Sequence, residues 1–194
     1  MVTSILTNSR EDERKLAVAA VLILLGVFWT QASALDTFLL QEPENNYVTG
    51  TMTIHNGDKV VDVHVRSGVY SSDTIFDYSH GYIATRLFSR KACFILKINK
   101  NYIPELQEIG RQAFERQTMK KIYSPNNVWV QFESGHSWFG NLKEWLIYGR
   151  PIEQLCAGLP LYRLAKTQPP LNARGCASAG IPSILPIKIC EKGN

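Results

Sequence analysis

The sequence predicts an α+β protein: a mostly antiparallel sheet with one clear helix and a second helical region near the end. Three observations carry this. Short apolar runs, several of them alternating, are separated by turn signals between residues 49 and 98. The period then changes to a helical one after Pro104. Two further helical pieces flank Gly149-Arg150-Pro151.

The first 34 residues stand apart. Leu16 to Trp29 is an unbroken run of 14 apolar or glycine residues, preceded by Arg14-Lys15 and followed by Ala32-Ser33-Ala34. A basic flank, a short apolar run and an A-x-A site describe a signal peptide cut between Ala34 and Leu35. The alternative is retention as a type II anchor: through Ala34 the stretch reaches 19 residues, against the ~20 that a span requires. The polar start of the leader, with Glu11, Asp12 and Glu13 offsetting its basic residues, fits that alternative. After cleavage no second apolar run approaches spanning length, so no stable membrane insertion is expected.

The elements follow in order. Thr49 to His55 alternates weakly, Asn56-Gly57 is a strong hairpin signal, and Val60 to Val65 places Val61, Val63 and Val65 on one face with Asp62 and His64 on the other. Val69 to Asp73 reads as a loop and Thr74 to Tyr78 as a short aromatic segment. Tyr82 to Phe88 is a strand, Ser89-Arg90-Lys91 a turn, and Ala92 to Ile98 a nearly continuous apolar strand, hence central. Ile103, Leu106, Ile109, Ala113 and Phe114 then fall at helical spacing, giving an amphipathic helix from Pro104 to Thr118. Val128 to Phe132 alternates as a strand. Leu142 to Tyr148 and Ile152 to Cys156 are the late helical pieces, and Gln168-Pro169-Pro170 is a linker. The tail from Cys176 to Cys190 is rich in isoleucine but interrupted by Pro182 and Pro186, which suits a cystine-closed hairpin better than stacked strands.

Composition narrows the function. The chain has 194 residues, 45% hydrophobic and 20% charged, which is globular usage. A net charge of +4 is well short of a nucleic-acid footprint. The densest basic region, Arg86, Arg90, Lys91, Lys97 and Lys100, scatters over two strands and a turn and reads as a solvated edge. His55, His64, His80 and His136 form no metal-binding pattern. No nucleophile elbow, phosphate loop or dinucleotide fingerprint is present, so neither enzyme chemistry nor a cofactor is expected. There is no N-x-S/T sequon.

The four cysteines, Cys93, Cys156, Cys176 and Cys190, all follow the leader. An even count in an oxidising compartment suggests two disulfides, with three pairings open. Their spacing contains no close Cys pair of the kind that holds zinc. Asp77 sits within Thr74-Ile75-Phe76-Asp77-Tyr78. It is either a surface aspartate at a strand end or a buried charge that must be partnered and could sense pH.

Several stretches together resemble a known family. Ile75-Phe76-Asp77-Tyr78, His80-Gly81-Tyr82-Ile83-Ala84 and Ala92-Cys93-Phe94-Ile95-Leu96-Lys97 are followed by Pro151-Ile152-Glu153-Gln154-Leu155-Cys156 and Leu159-Pro160-Leu161-Tyr162. They are similar to the BRICHOS domain of the gastrokine family, most of all to its second and third members. The resemblance spans the whole mature chain. It implies a division into a signal peptide at 1–34, a hairpin region at 35–65, a BRICHOS domain at 66–164 and a disulfide-closed tail at 165–194. It implies a small antiparallel sheet with helices on its faces, a hallmark aspartate at Asp77 and a hallmark disulfide joining Cys93 to Cys156, leaving Cys176 with Cys190. It also implies a secreted gastric mucosal protein that supports epithelial homeostasis and restrains proliferation. Its expected partners are β-prone or unfolded segments, held by an anti-amyloid chaperone activity. A receptor-binding ligand that uses the domain only as a scaffold is the alternative. Some members carry a further cysteine before the Ile-Phe-Asp-Tyr stretch. Residues 67–72 here have none, which leaves no thiol for a covalent partner of the trefoil type.

Overall fold

A computed structural model describes residues 35–42, 45–120, 127–171 and 175–193. The leader and its cleavage pair lie outside them, except that Leu35 opens the first strand. Eleven strands and three helices occur among the described residues. The strands form two sheets where the sequence suggested one. The larger has seven strands in the order β1 (Leu35–Glu42), β2 (Asn45–His55), β3 (Val60–Arg66), β4 (Ser72–Asp77), β5 (Tyr82–Leu87), β6 (Ala92–Lys97) and β8 (Leu161–Arg163). It is antiparallel except where β8 joins β6 in parallel, with Cys93 opposite Leu161. The smaller sheet has the order β10 (Ala177–Ile181), β11 (Leu185–Glu191), β7 (Val128–Phe132) and β9 (Ala165–Lys166).

The second sheet exists because the tail hairpin does not pack on the domain as an isolated unit. β11 lies between β10 and β7 and pairs with β7 in parallel, Ile187 opposite Val128. Ile187, Ile189, Val128 and Val130 are all buried. A parallel pairing between residues about sixty apart leaves no local trace in the sequence. The strand β1 is likewise an addition: region 35–65 holds three strands, and Leu40 is buried while Leu39 is not. The 69–73 segment is less irregular than expected, with a 3₁₀ turn over Gly68–Tyr70 and β4 beginning at Ser72. Helix α1 runs Leu106–Met119, starting two residues and ending one residue later than the periodicity placed it. α2 covers Leu142–Tyr148 and α3 covers Arg150–Cys156. The break between them is Gly149 alone, because Pro151 sits in the first turn of α3, where its missing N–H costs nothing.

Strand alternation makes the large sheet two-faced. One face carries Met52, Ile54, Val61, Val63, Phe76, Ile83, Phe94 and Leu96, covered by α1 and the small sheet in the main core. The other is covered only in part. Over β5 and β6, Ala84, Cys93 and Ile95 meet Tyr148, Ile152 and Cys156 of the α2–α3 layer. Over β1 to β3 it is lined with Thr37, Thr53, His55, Asp62 and His64 instead. There His55 reaches Asp62 at 3.0 Å and His64 reaches Asp73 at 2.8 Å. The basic region remains at the surface: Arg86 lies over the Phe88 ring at 5.1 Å and Arg90 over Phe132 at 5.1 Å.

Candidate functional site

The end of β4 holds both helical layers. Phe76 faces the main core, so its neighbour Asp77 faces the α2–α3 layer. The Asp77 side chain is 1% exposed. A carboxylate buried to that degree must be partnered. Asp77 Oδ1 accepts the backbone N–H of His80 at 2.9 Å, and Oδ2 lies 2.7 Å from His80 Nδ1. Of the two readings the sequence left open, the buried one describes the position of Asp77.

Gly149 closes this pocket from above. Its φ of +89° is the left-handed region that favours glycine. A Cβ there would lie 2.5 Å from His80 Nδ1 and 2.8 Å from Asp77 Oδ2. The corner between α2 and α3 therefore presses its backbone onto the Asp77–His80 pair. α2 is capped by Asn141, whose side chain accepts the Glu144 N–H while the Glu144 carboxylate accepts the Asn141 N–H. At its far end, seven residues beyond the corner, α3 is bonded to the sheet by Cys93–Cys156, with both cysteines fully buried. Cys176–Cys190 closes the tail hairpin, and no cysteine is left free.

Tyr78 faces the opposite way and was not singled out from the sequence, although it stands in the same aromatic stretch. Its hydroxyl donates to the Pro104 carbonyl at 2.8 Å, just before α1. Burial, and then the nearby Glu105 charge, push its ionisation well above the ordinary range for tyrosine. Adjacent residues at one strand end thus meet the Gly149 corner before α3 on one face and hold the start of α1 on the other.

α1 is held by less. It buries Leu106, Ile109 and Ala113, and its outward residue Phe114 is 54% exposed. Between α1 and β1 runs a groove of about 570 Å³ lined by Phe38, Ile54, Leu106, Gly110 and Phe114, with Asp36, Asn56 and Gln117 at its rim. A second groove, about 580 Å³, opens at the start of the helix beside Lys59, Tyr78, Ile98 and Ile103. β1 borders the first groove as the outermost strand of the sheet. Among the described residues no group of three metal-ligating side chains occurs.

The sequence is similar to curated proteins along most of its length. It is 39% identical to gastrokine-2 of Rattus norvegicus over 90% of this chain and 96% of that protein. The chain belongs to the gastrokine family. Within it, gastrokine-2 of Mus musculus is 37% identical over 89% of this chain and 96% of its own length. Gastrokine-1 of Homo sapiens is more distant, at 27% over 75% of this chain and 78% of its own. The BRICHOS domain model matches residues 68–163. In this gastrokine that span runs from the 3₁₀ turn to the end of β8, so it takes in Asp77, both ends of the Cys93–Cys156 bond and α1. β1, β2, β3 and the tail hairpin lie outside it. No solved structure matches the chain.

Proposed function

We propose that this gastrokine is a secreted, non-enzymatic protein of the gastric mucosa whose BRICHOS domain captures β-prone or unfolded segments and opposes their assembly into fibrils. This role supports epithelial homeostasis and restrains proliferation. Two cystines suit an oxidising compartment, and no helix among the described residues is long and apolar enough to cross a membrane.

One observation carries the capture mechanism: the groove between α1 and β1, with Phe38, Ile54, Leu106 and Phe114 in its lining, runs along an outermost strand. An extended client gains ladder hydrogen bonds at such an edge and buries alternate side chains in the groove, which caps the strand that would otherwise template stacking. Outward movement of α1 deepens the groove towards Met52 and Ile54. Capture of this kind needs no cofactor. Full-length protein at substoichiometric ratio is expected to lengthen the lag of a β-prone peptide in a thioflavin assay. Phe114→Asp, at an exposed position, is expected to weaken that effect without unfolding the protein. An unchanged lag at equimolar protein removes the mechanism.

A receptor-binding role has its own observation. Phe139, Leu142, Leu146 and Ile147 project from the capped α2 segment and are all more than half exposed. Restraint of gastric cell growth that survives Phe114→Asp and is lost on Leu142→Asp would favour an epithelial receptor over capture.

A further inference from the structure

The hairpin joining β2 to β3 does not need the glycine it carries. His55 pairs with Val60, so Asn56 to Lys59 form a four-residue turn, all exposed. The residue with positive φ in that turn is Lys59, at +56°, while Gly57 is not among the glycines in that region. A tight two-residue Asn-Gly turn would place both residues there. What Gly57 contributes instead is a backbone amide with no side chain beside it, next in sequence to an asparagine.

We propose that Asn56-Gly57 is a site of spontaneous deamidation whose product releases the start of β1 from the sheet. The Gly57 backbone nitrogen loses its proton and attacks Asn56 Cγ. A carbon–nitrogen bond closes a five-membered imide, and the Asn56 side-chain nitrogen leaves as ammonia. Water then opens the imide at either carbonyl, yielding aspartate or the isoaspartyl linkage, with no oxidant or reductant involved.

The product matters because of what Asn56 holds. Its Nδ2 donates to Asp36 Oδ2 at 3.2 Å. Conversion replaces that donor by a carboxylate, so an attraction becomes a repulsion between like charges on neighbouring strands. Asp36 lies in the outermost strand, opposite Ile54, and the adjacent Leu35 is 57% exposed. Asn56 also borders both grooves flanking the start of α1. The change therefore acts on an outermost strand, beside two grooves of about 580 and 570 Å³.

The test is ageing of the purified full-length protein at neutral pH and body temperature, followed by peptide mapping and amide hydrogen exchange. Asn56 is expected to convert several-fold faster than the exposed Asn99 and Asn101. Gly57→Ala, which the turn accommodates because Gly57 lies outside the left-handed region, is expected to slow conversion several-fold. Amides of residues 35–42 are expected to exchange several-fold faster in aged protein and in Asn56→Asp, and Asp36→Asn added to Asn56→Asp is expected to restore protection. Conversion of Asn56 no faster than Asn99, or equally fast in Gly57→Ala, overturns the site. Unchanged exchange over 35–42 in both aged protein and Asn56→Asp overturns its consequence.

Discussion

On one face of the seven-stranded sheet α3 is fixed by a buried disulfide and by a glycine corner, packed against the Asp77–His80 pair, that no side chain could occupy. On the other face α1 rests on three buried apolar side chains, the Tyr78 hydrogen bond to the Pro104 carbonyl before it and the Arg116 hydrogen bond to the Ser183 carbonyl of the tail hairpin, while its ion pairs stay at the surface. Both helices cover apolar strands, yet they are held by different kinds of force. Covalent and buried polar contacts have sharply defined geometry and resist partial opening. Burial of three side chains gives way progressively, as elements that admit a ligand must. The comparison assigns rigidity to the α3 side and opening to the α1 side.

The largest effect that would break this contrast is loss of the staple. Removing Cys93 and Cys156 together opens a loop closed across 63 residues of separation, which by chain entropy costs about 4 kcal/mol. Urea unfolding of the double alanine variant should show that loss. A midpoint equal to wild type would mean that α3 is held no more firmly than α1.

A smaller effect follows at the strand end. Asp77→Asn keeps the shape but loses the charge-assisted contact to His80 and is expected to cost about 2 kcal/mol. Amide exchange should rise across the α2–α3 corner and remain unchanged in α1.

The smallest effect sharpens the α1 side. Hydrogen bonds from Arg111 and Gln112 hold the Glu108 carboxyl down at about 2, and the Lys100 hydrogen bond and charge lower that of Glu105. A carboxyl with a depressed folded value stabilises the native state fully above its ordinary value of 4.5 and loses that contribution as pH falls towards the folded one. Exposed pairs are weak and screened by salt. α1 is therefore expected to loosen slightly between pH 4.5 and about 2, with the effect fading at high ionic strength. Helix-specific exchange that is flat over this interval at low salt would show that these pairs contribute nothing.

Local patterns in the chain mark most of this architecture. The alternation of Val61, Val63 and Val65 and the apolar run from Ala92 fix which side of the large sheet is buried, because strand periodicity needs no distant partner. The helical spacing of Leu106, Ile109 and Ala113 does the same for α1, and these three are the residues it buries. The Ile-Phe-Asp-Tyr stretch marks the strand end that became the candidate site. Those elements were determined by the sequence itself, since each depends on neighbours within a few positions.

The tertiary structure decided what depends on remote segments. β1 has an unremarkable composition and becomes a strand because β2 offers it an edge. The small sheet forms because β11 meets β7 from far along the chain. Asp77 could have stood at the surface. It is enclosed because the Gly149 corner, over seventy residues later, folds down upon it. Hydrogen bonds between distant strands and the desolvation of a charge by a remote loop are properties of the assembled chain, and no window of sequence contains both halves of such a contact.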